Sequence, residues 1–384
     1  MKTLHIHIGT PKTATTAIQR FCYKNSNVLE KKGYCYPLFP YKYPAVSKTR
    51  AHFLLGVIKN ENGERNFEQE QKNFEDGMKM VMESFETYDH VILSDERIWR
   101  GMAREKKDLW EVMQKEAEQK GFALHVIVYL RRQDKYYVSL WNQVVKHLRS
   151  QETFEEFDNR VDKDQLDYYY KLEQMAAVIG KENITVRRFD GGKFEGGSIY
   201  SDFLQTVGLS LTDEYEIPEE EQNTGLYGNT HEIKRVINAL PQIQDAESQK
   251  FIKYTLQDCS GVSKKIYPSE MYSKEEIERL LEPYKEGNQK IAEEYLHEAA
   301  GTELFDYTVK DIPKWQRDNP YMFDDLTRFV GSMGMSLYQE NQRLKKELEE
   351  LSHEFSSLRF HLRHPLKTVI RKIKGKTSSK WNTP

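Results

Sequence analysis

The apolar positions of the first half of the chain change period in a regular way. Residues 4–8 form a short apolar run that reads as a buried strand, and it empties into Gly9 and Pro11, which punctuate a turn. From Ala14 the period becomes helical, through Ile18, Phe21, Cys22, Val28 and Leu29, with Gly33 as the stop. Residues 34–44, rich in Tyr and Pro, read as irregular. A helix through Phe74, Met78, Val81, Met82 and Phe85 leads to a strand at 90–93, which ends in Ser94-Asp95-Glu96-Arg97. Another helix, 107–120, is closed by Gly121. Residues 122–130 are the most strand-like run of all, and their continuous apolar character predicts a parallel strand buried on both faces. Helices at 134–148 and 165–179 and a strand at 184–189 complete the alternation. This pattern predicts an α/β fold with a central, mainly parallel sheet.

Beyond residue 189 the pattern is helical, at 198–207, 229–240 and 247–258, and a capping box at Ser273 and Glu276 opens a further helix. From Gly334 the character changes. Leu337, Asn341, Leu344, Leu348, Leu351, Phe355, Leu358 and Leu362 recur at spacings of four and three, a heptad seam. With Asn341 at position a, Glu340 and Lys345, and then Glu354 and Arg359, become g-to-e′ pairs, the arrangement of a parallel homodimer. After Glu354 there are no acids, and basic residues alternate with Leu362, Leu366, Val369, Ile370 and Ile373. Such a tail can rest on anionic lipid. The expected organisation is an α/β domain at 1–312, a linker at 313–333, a coiled-coil helix at 334–364 and a basic tail at 365–384.

Composition narrows the function classes. A net charge of −3 over 384 residues gives no basic signature, so nucleic acid is not expected as a partner. Three scattered cysteines, Cys22, Cys35 and Cys259, supply neither a disulfide frame nor a zinc site. The first strand has no secretory h-region before it, and no run of about 18 apolar residues occurs. The expectation is a cytoplasmic protein, peripheral on the inner membrane face if the tail binds there.

The chemistry concentrates at two strand ends. Gly9-Thr10-Pro11-Lys12-Thr13-Ala14-Thr15-Thr16 joins a strand to a helix, the geometry that points backbone N–H groups and a helix N-terminus at one anion. Lys12 adds positive charge, and Thr13, Thr15 and Thr16 add hydroxyl donors. The nucleotide-triphosphate loop would need a second Gly directly before the Lys. The order Gly-x-Pro-Lys-Thr-x-Thr-Thr instead resembles the 5′-phosphosulfate loop of sulfotransferases that use 3′-phosphoadenosine 5′-phosphosulfate (PAPS), with Ala14 where Gly or Ser is usual. At the second end, Arg131 leaves a buried strand and Ser139 follows eight residues later, the spacing of that family's 3′-phosphate pair. The family's Arg-Asp-Pro is Arg131-Arg132-Gln133 here, which leaves Arg132 either on the nucleotide or facing solvent. Residues 191–204, 223–226 and 94–96 are similar to a bacterial group related to carbohydrate sulfotransferases, and the resemblance covers about residues 1–245.

The resemblance implies a P-loop-like three-layer sandwich and metal-independent transfer of a sulfuryl group from PAPS to a hydroxyl or amine. It assigns Gly9, Pro11, Lys12, Thr13, Ala14, Thr15, Thr16, Arg131 and Ser139 to the nucleotide, with Lys12 also catalytic. Relatives use a His or a Glu as general base, which here means His52 or Glu96, with Asp95 as an orienting group. Tyr34, Tyr36, Tyr41 and Tyr43 are candidate stacking platforms for a saccharide or lipid-linked glycan acceptor. Two other readings remain open: a nucleotide or small-molecule kinase, and a non-catalytic nucleotide-binding scaffold whose working part is the coiled coil.

Overall fold

The computed structural model describes residues 1–39, 51–52, 58, 60, 62–101, 108–161, 163–218, 225–243 and 245–363. Five strands form one sheet: β1 (Thr3–His7), β2 (Tyr34–Cys35), β3 (His90–Ser94), β4 (Ala123–Leu130) and β5 (Ile184–Arg188). Their order is β2-β3-β1-β4-β5, and every neighbouring pair is parallel. The strand order reverses at β1, because the chain first builds β2 and β3 on one side of it and then β4 and β5 on the other. In open parallel sheets the crevice at such a reversal, outside the carboxyl ends of the strands, is where ligands sit.

The helices, in chain order, are α1 (Thr15–Lys24), α2 (Ser26–Lys31), α3 (Phe67–Ser84), α4 (Arg97–Gly101), α5 (Leu109–Lys120), α6 (Gln133–Leu148) and α7 (Phe154–Arg160). They continue with α8 (Tyr168–Ile179), α9 (Ile199–Thr206), α10 (Asn229–Ile237), α11 (Ala246–Ile266), α12 (Lys274–Leu281), α13 (Lys285–Glu294) and α14 (Met322–Arg363). Leu4, Ile6, Val91, Leu93, Val126 and Val128 face α3, α5, α8 and α13 in the larger core. Ile92, Ile127 and Tyr129, on the opposite face, meet α1 and α9. Helices on both faces of the sheet make three layers, and the α/β class with a parallel sheet is what the alternation predicts. A third apolar cluster joins α6, α7 and α12, and a fourth joins α10, α11 and α14.

Four differences from the sequence reading have local causes. The first helix breaks at Asn25, whose Nδ2 donates to Phe21 O and Glu216 O, both at 2.9 Å, while its Oδ1 accepts from Glu216 N at 2.7 Å. β2 is two residues long, too short for any period to show, and adds an edge to the sheet where an irregular segment was expected. The unexpected α7 opens on a capping box between Thr153 and Glu156. The expected linker at 313–333 is structured instead: Trp315 N donates to Glu270 O at 2.8 Å, and α14 starts at Met322.

Candidate nucleotide site

The loop after β1 is held by its neighbours and bent sharply. Ile8 N donates to Ile127 O, and Thr10 donates to Tyr129 O from both its N–H and its hydroxyl, at 3.1 and 3.0 Å. Thr13 Oγ1 donates to Thr10 O at 2.6 Å, which closes the turn on itself. Gly9, Lys12 and Ala14 all take left-handed φ values, of 47, 72 and 57°. For Lys12 and Ala14 that conformation costs on the order of 1 kcal/mol each, and a fold retains such residues where the surroundings over-determine them. Alternating turns of this kind direct successive N–H groups to one side as an anion nest. Ala14 precedes α1 and carries no side-chain acceptor, so the helix's first N–H groups have no cap of that kind.

Beneath the loop lie two buried polar atoms without a partner among the described residues, Thr15 Oγ1 and His7 Nε2. A β-carbon on Gly9 would stand 3.0 Å from Thr15 Oγ1 and 3.6 Å from His7 Nε2. Pro11 and Thr13 are buried, Lys12 and Ala14 half-buried, and Thr16 is exposed at the rim.

Arg131 emerges from β4 onto the same place. Its Nη1 donates to Lys12 O at 3.4 Å, and its guanidinium lies 5.7 Å from the centre of the Phe189 ring. Tyr168 Oη donates to Arg131 O at 2.8 Å and fixes the strand end. Among the described residues neither Lys12 nor Arg131 forms an ion pair with a carboxylate. Burial lowers the Lys12 ammonium from its ordinary value, the Glu96 charge opposes that shift, and Arg131 adds to it. Burial likewise lowers Arg131. Two desolvated, mutually repelling cations thus stand beside a helix start that has no side-chain cap.

Ser139 is the seventh residue of α6, half-buried, with its helix starting two residues after Arg131. Arg132 is held by neighbouring acceptors rather than facing solvent freely. Its Nε and Nη2 pair with Asp134 at 2.8 and 2.9 Å, and its Nη1 donates to Asp306 O at 2.6 Å. Lys146, in the last turn of α6, is pulled down to about 7 by burial and by the charges of Lys12 and Lys253.

The two base candidates differ sharply. His52 is 2 % exposed. Its Nδ1 accepts from Ser94 N at 3.0 Å and its Nε2 lies 2.7 Å from Pro37 O. The first contact requires a lone pair on Nδ1, so the proton sits on Nε2 and is donated to Pro37. Both nitrogens are thereby committed, and burial lowers the ring to about 4. Glu96 is half-buried just beyond β3, close enough to Lys12 for the charges to interact. Asp95 Oδ1 accepts from Arg97 N at 2.9 Å, where it caps α4.

Tyr34 and Tyr36 are 6 and 5 % exposed and belong to the core, which removes them as stacking platforms. Tyr34 Oη donates to Val207 O at 2.5 Å, and the Tyr36 ring meets His52 edge-on. Tyr41, Tyr43, residues 223–224 and the tail from 364 lie outside the described residues.

Sequence reading passed over His7, although its place at the end of an alternating His-Ile strand was the available signal. Its Nδ1 lies 3.0 Å from Ser94 Oγ, which also accepts from Gln19 Nε2 at 3.2 Å. Ser94 therefore joins the His7 and His52 layers under the loop.

No family model matches the sequence. An uncharacterized protein of Archaeoglobus fulgidus is 30% identical over 174 residues, which cover 44% of this chain and 45% of that protein. The chain thus spans less than half the length of this curated relative. The crystal structure of a sulfotransferase from Alicyclobacillus acidocaldarius aligns with 65% of this chain and 99% of that one, at 13% identity and a TM-score of 0.34. At that score the backbones differ too much for the likeness to assign a function.

Proposed function

We propose that the chain is a PAPS-dependent sulfotransferase acting on a hydroxyl or amine of a carbohydrate or glycolipid. The observation that carries the reading is the meeting of Lys12 and Arg131, without carboxylate partners among the described residues, over a helix start whose Thr15 hydroxyl is buried and unpartnered. The spacing from Arg131 to Ser139 supplies the second phosphate site.

In this reading the 5′-phosphosulfate lies in the loop from Gly9 to Thr16, and Arg131 with Ser139 takes the 3′-phosphate. Arg131 offers two parallel N–H donors to phosphate oxygens, which a lysine does not. The acceptor oxygen attacks sulfur in line as the bond from sulfur to the bridging oxygen breaks. The electron pair leaves on adenosine 3′,5′-bisphosphate, and the acceptor proton passes to Glu96. Lys12 neutralises the charge that builds on the bridging and phosphate oxygens, a contribution of about 10²- to 10³-fold in rate for one such donor. Holding donor and acceptor in line supplies much of the rest.

The test is release of adenosine 3′,5′-bisphosphate from PAPS in the presence of EDTA, across a panel of neutral and acidic glycans. Turnover with at least one acceptor, reduced 100-fold or more in Lys12→Ala, is expected. Magnesium-dependent consumption of ATP without use of PAPS would replace this reading with the kinase.

A further inference from the structure

α14 is the longest helix described, at 42 residues, and most of its described side chains are exposed. Its first turns are anchored. Asp325 is 2 % exposed, accepts from Asn229 Nδ2 at 2.9 Å and Ser263 Oγ at 2.6 Å, and pairs with Arg328. Phe329 is buried among Ile233, Ile252 and Leu256. From Leu337 onward every described side chain is exposed. Leu337, Leu344, Leu348, Leu351, Phe355 and Leu358 are each between 51 and 71 % exposed, in a row along the helix. A helix within a protein draws most of its stability from burying such a row, and proteins seldom leave one bare to water.

The row continues further than the heptads visible in sequence. With Asn341 at position a, position d falls at Phe323, Val330, Leu337, Leu344, Leu351 and Leu358. Phe323 and Val330 are 74 and 51 % exposed, although their neighbours Asp325 and Phe329 are buried on the other side of the same turns. One face of the base of α14 holds the domain, and the opposite face starts the seam.

Charge selects the occupant. In a parallel pair, g-position Glu340 faces e′-position Lys345, and Glu354 faces Arg359. An antiparallel pair would set the g-position acids Glu340, Glu347 and Glu354 against one another, and the basic e positions likewise, which costs affinity. We infer that α14 pairs with α14 of a second copy of this chain, parallel and in register from Phe323 to Leu358. The Asn341 side chains meet across the axis and hold that register. The two α/β domains then sit side by side at the helix bases, each through its own α10 and α11.

Sedimentation velocity on the full chain at tens of micromolar tests this directly. The expected species has twice the 45.4 kDa mass of the chain. The double substitution Leu344→Glu/Leu351→Glu changes only exposed positions and should weaken dimerisation at least tenfold, with thermal unfolding of the domain retained. A second variant guards against misfolding of the first. Leu351→Cys under mild oxidation should give a disulfide-linked dimer absent from the wild-type control, because d positions face each other only in a parallel, in-register pair. A monomeric wild type, a dimer indifferent to the double substitution, or a Leu351→Cys chain that stays unlinked would each overturn the inference.

Discussion

In the proposed function His52 holds structure while Glu96 takes the acceptor proton, a division that single substitutions test. Glutamine can reproduce both bonds of His52, accepting from Ser94 N and donating to Pro37 O, but it has no ring to take a proton. His52→Gln is therefore expected to keep turnover within about threefold, whereas Glu96→Gln should lose about 10²- to 10⁴-fold at unchanged nucleotide affinity. The opposite pattern in steady-state kinetics would return the base to His52. The buried histidines also set an acid limit. His5 and His7 are lowered to about 3 and His52 and His125 to about 4, chiefly by burial. Their unfolded values lie near 6.5, so below that pH the unfolded chain binds more protons than the folded one. Their stabilising contribution is complete above pH 6.5 and is lost progressively as pH falls toward about 4 for His52 and His125 and about 3 for His5 and His7. Unfolding midpoints should drop clearly between pH 7.5 and 5, and a flat profile over that range would contradict the assignment.

The loop from Gly9 to Ala14 shows the same logic for an element. Gly9 lies at positive φ, with Thr15 Oγ1 3.0 Å from where a β-carbon would stand. Gly9→Ala is expected to destabilise the fold by about 1–2 kcal/mol. It should also displace the Thr15 hydroxyl and weaken nucleotide binding about tenfold or more, measurable by denaturant titration and calorimetry. This loop was legible in sequence because Gly9, Pro11, Lys12 and Thr13, followed by Thr15 and Thr16, sit at fixed offsets between a strand pattern and a helix pattern. The order of strands around β1 was not, since periodicity says nothing about which strands neighbour one another. Nor was the burial of His52: a His beside an apolar run reads the same whether its nitrogens face a substrate or the Ser94 and Pro37 backbone. Tyr34 and Tyr36 misled for the same reason, because a tyrosine's amphipathic ring suits a core as well as a sugar face.

Taken whole, the chain places the loops after β1, β3 and β4 at the carboxyl end of the sheet and carries its apolar row on α14, whose base packs on α10 and α11. Among the described residues no helix is long and apolar enough to cross a membrane. In the proposed sulfotransferase reading Lys12 and Arg131, at the ends of the adjacent strands β1 and β4, take the 5′- and 3′-phosphates of one ligand. Calorimetry with adenosine 3′,5′-bisphosphate, AMP and ATP, without magnesium, on the wild type and on Arg131→Ala, addresses that claim most directly. The account predicts tight binding of the bisphosphate alone, weakened by about 1–3 kcal/mol, or about 5- to 150-fold, in Arg131→Ala. Preference for ATP, or equal affinity for AMP and the bisphosphate, would contradict it.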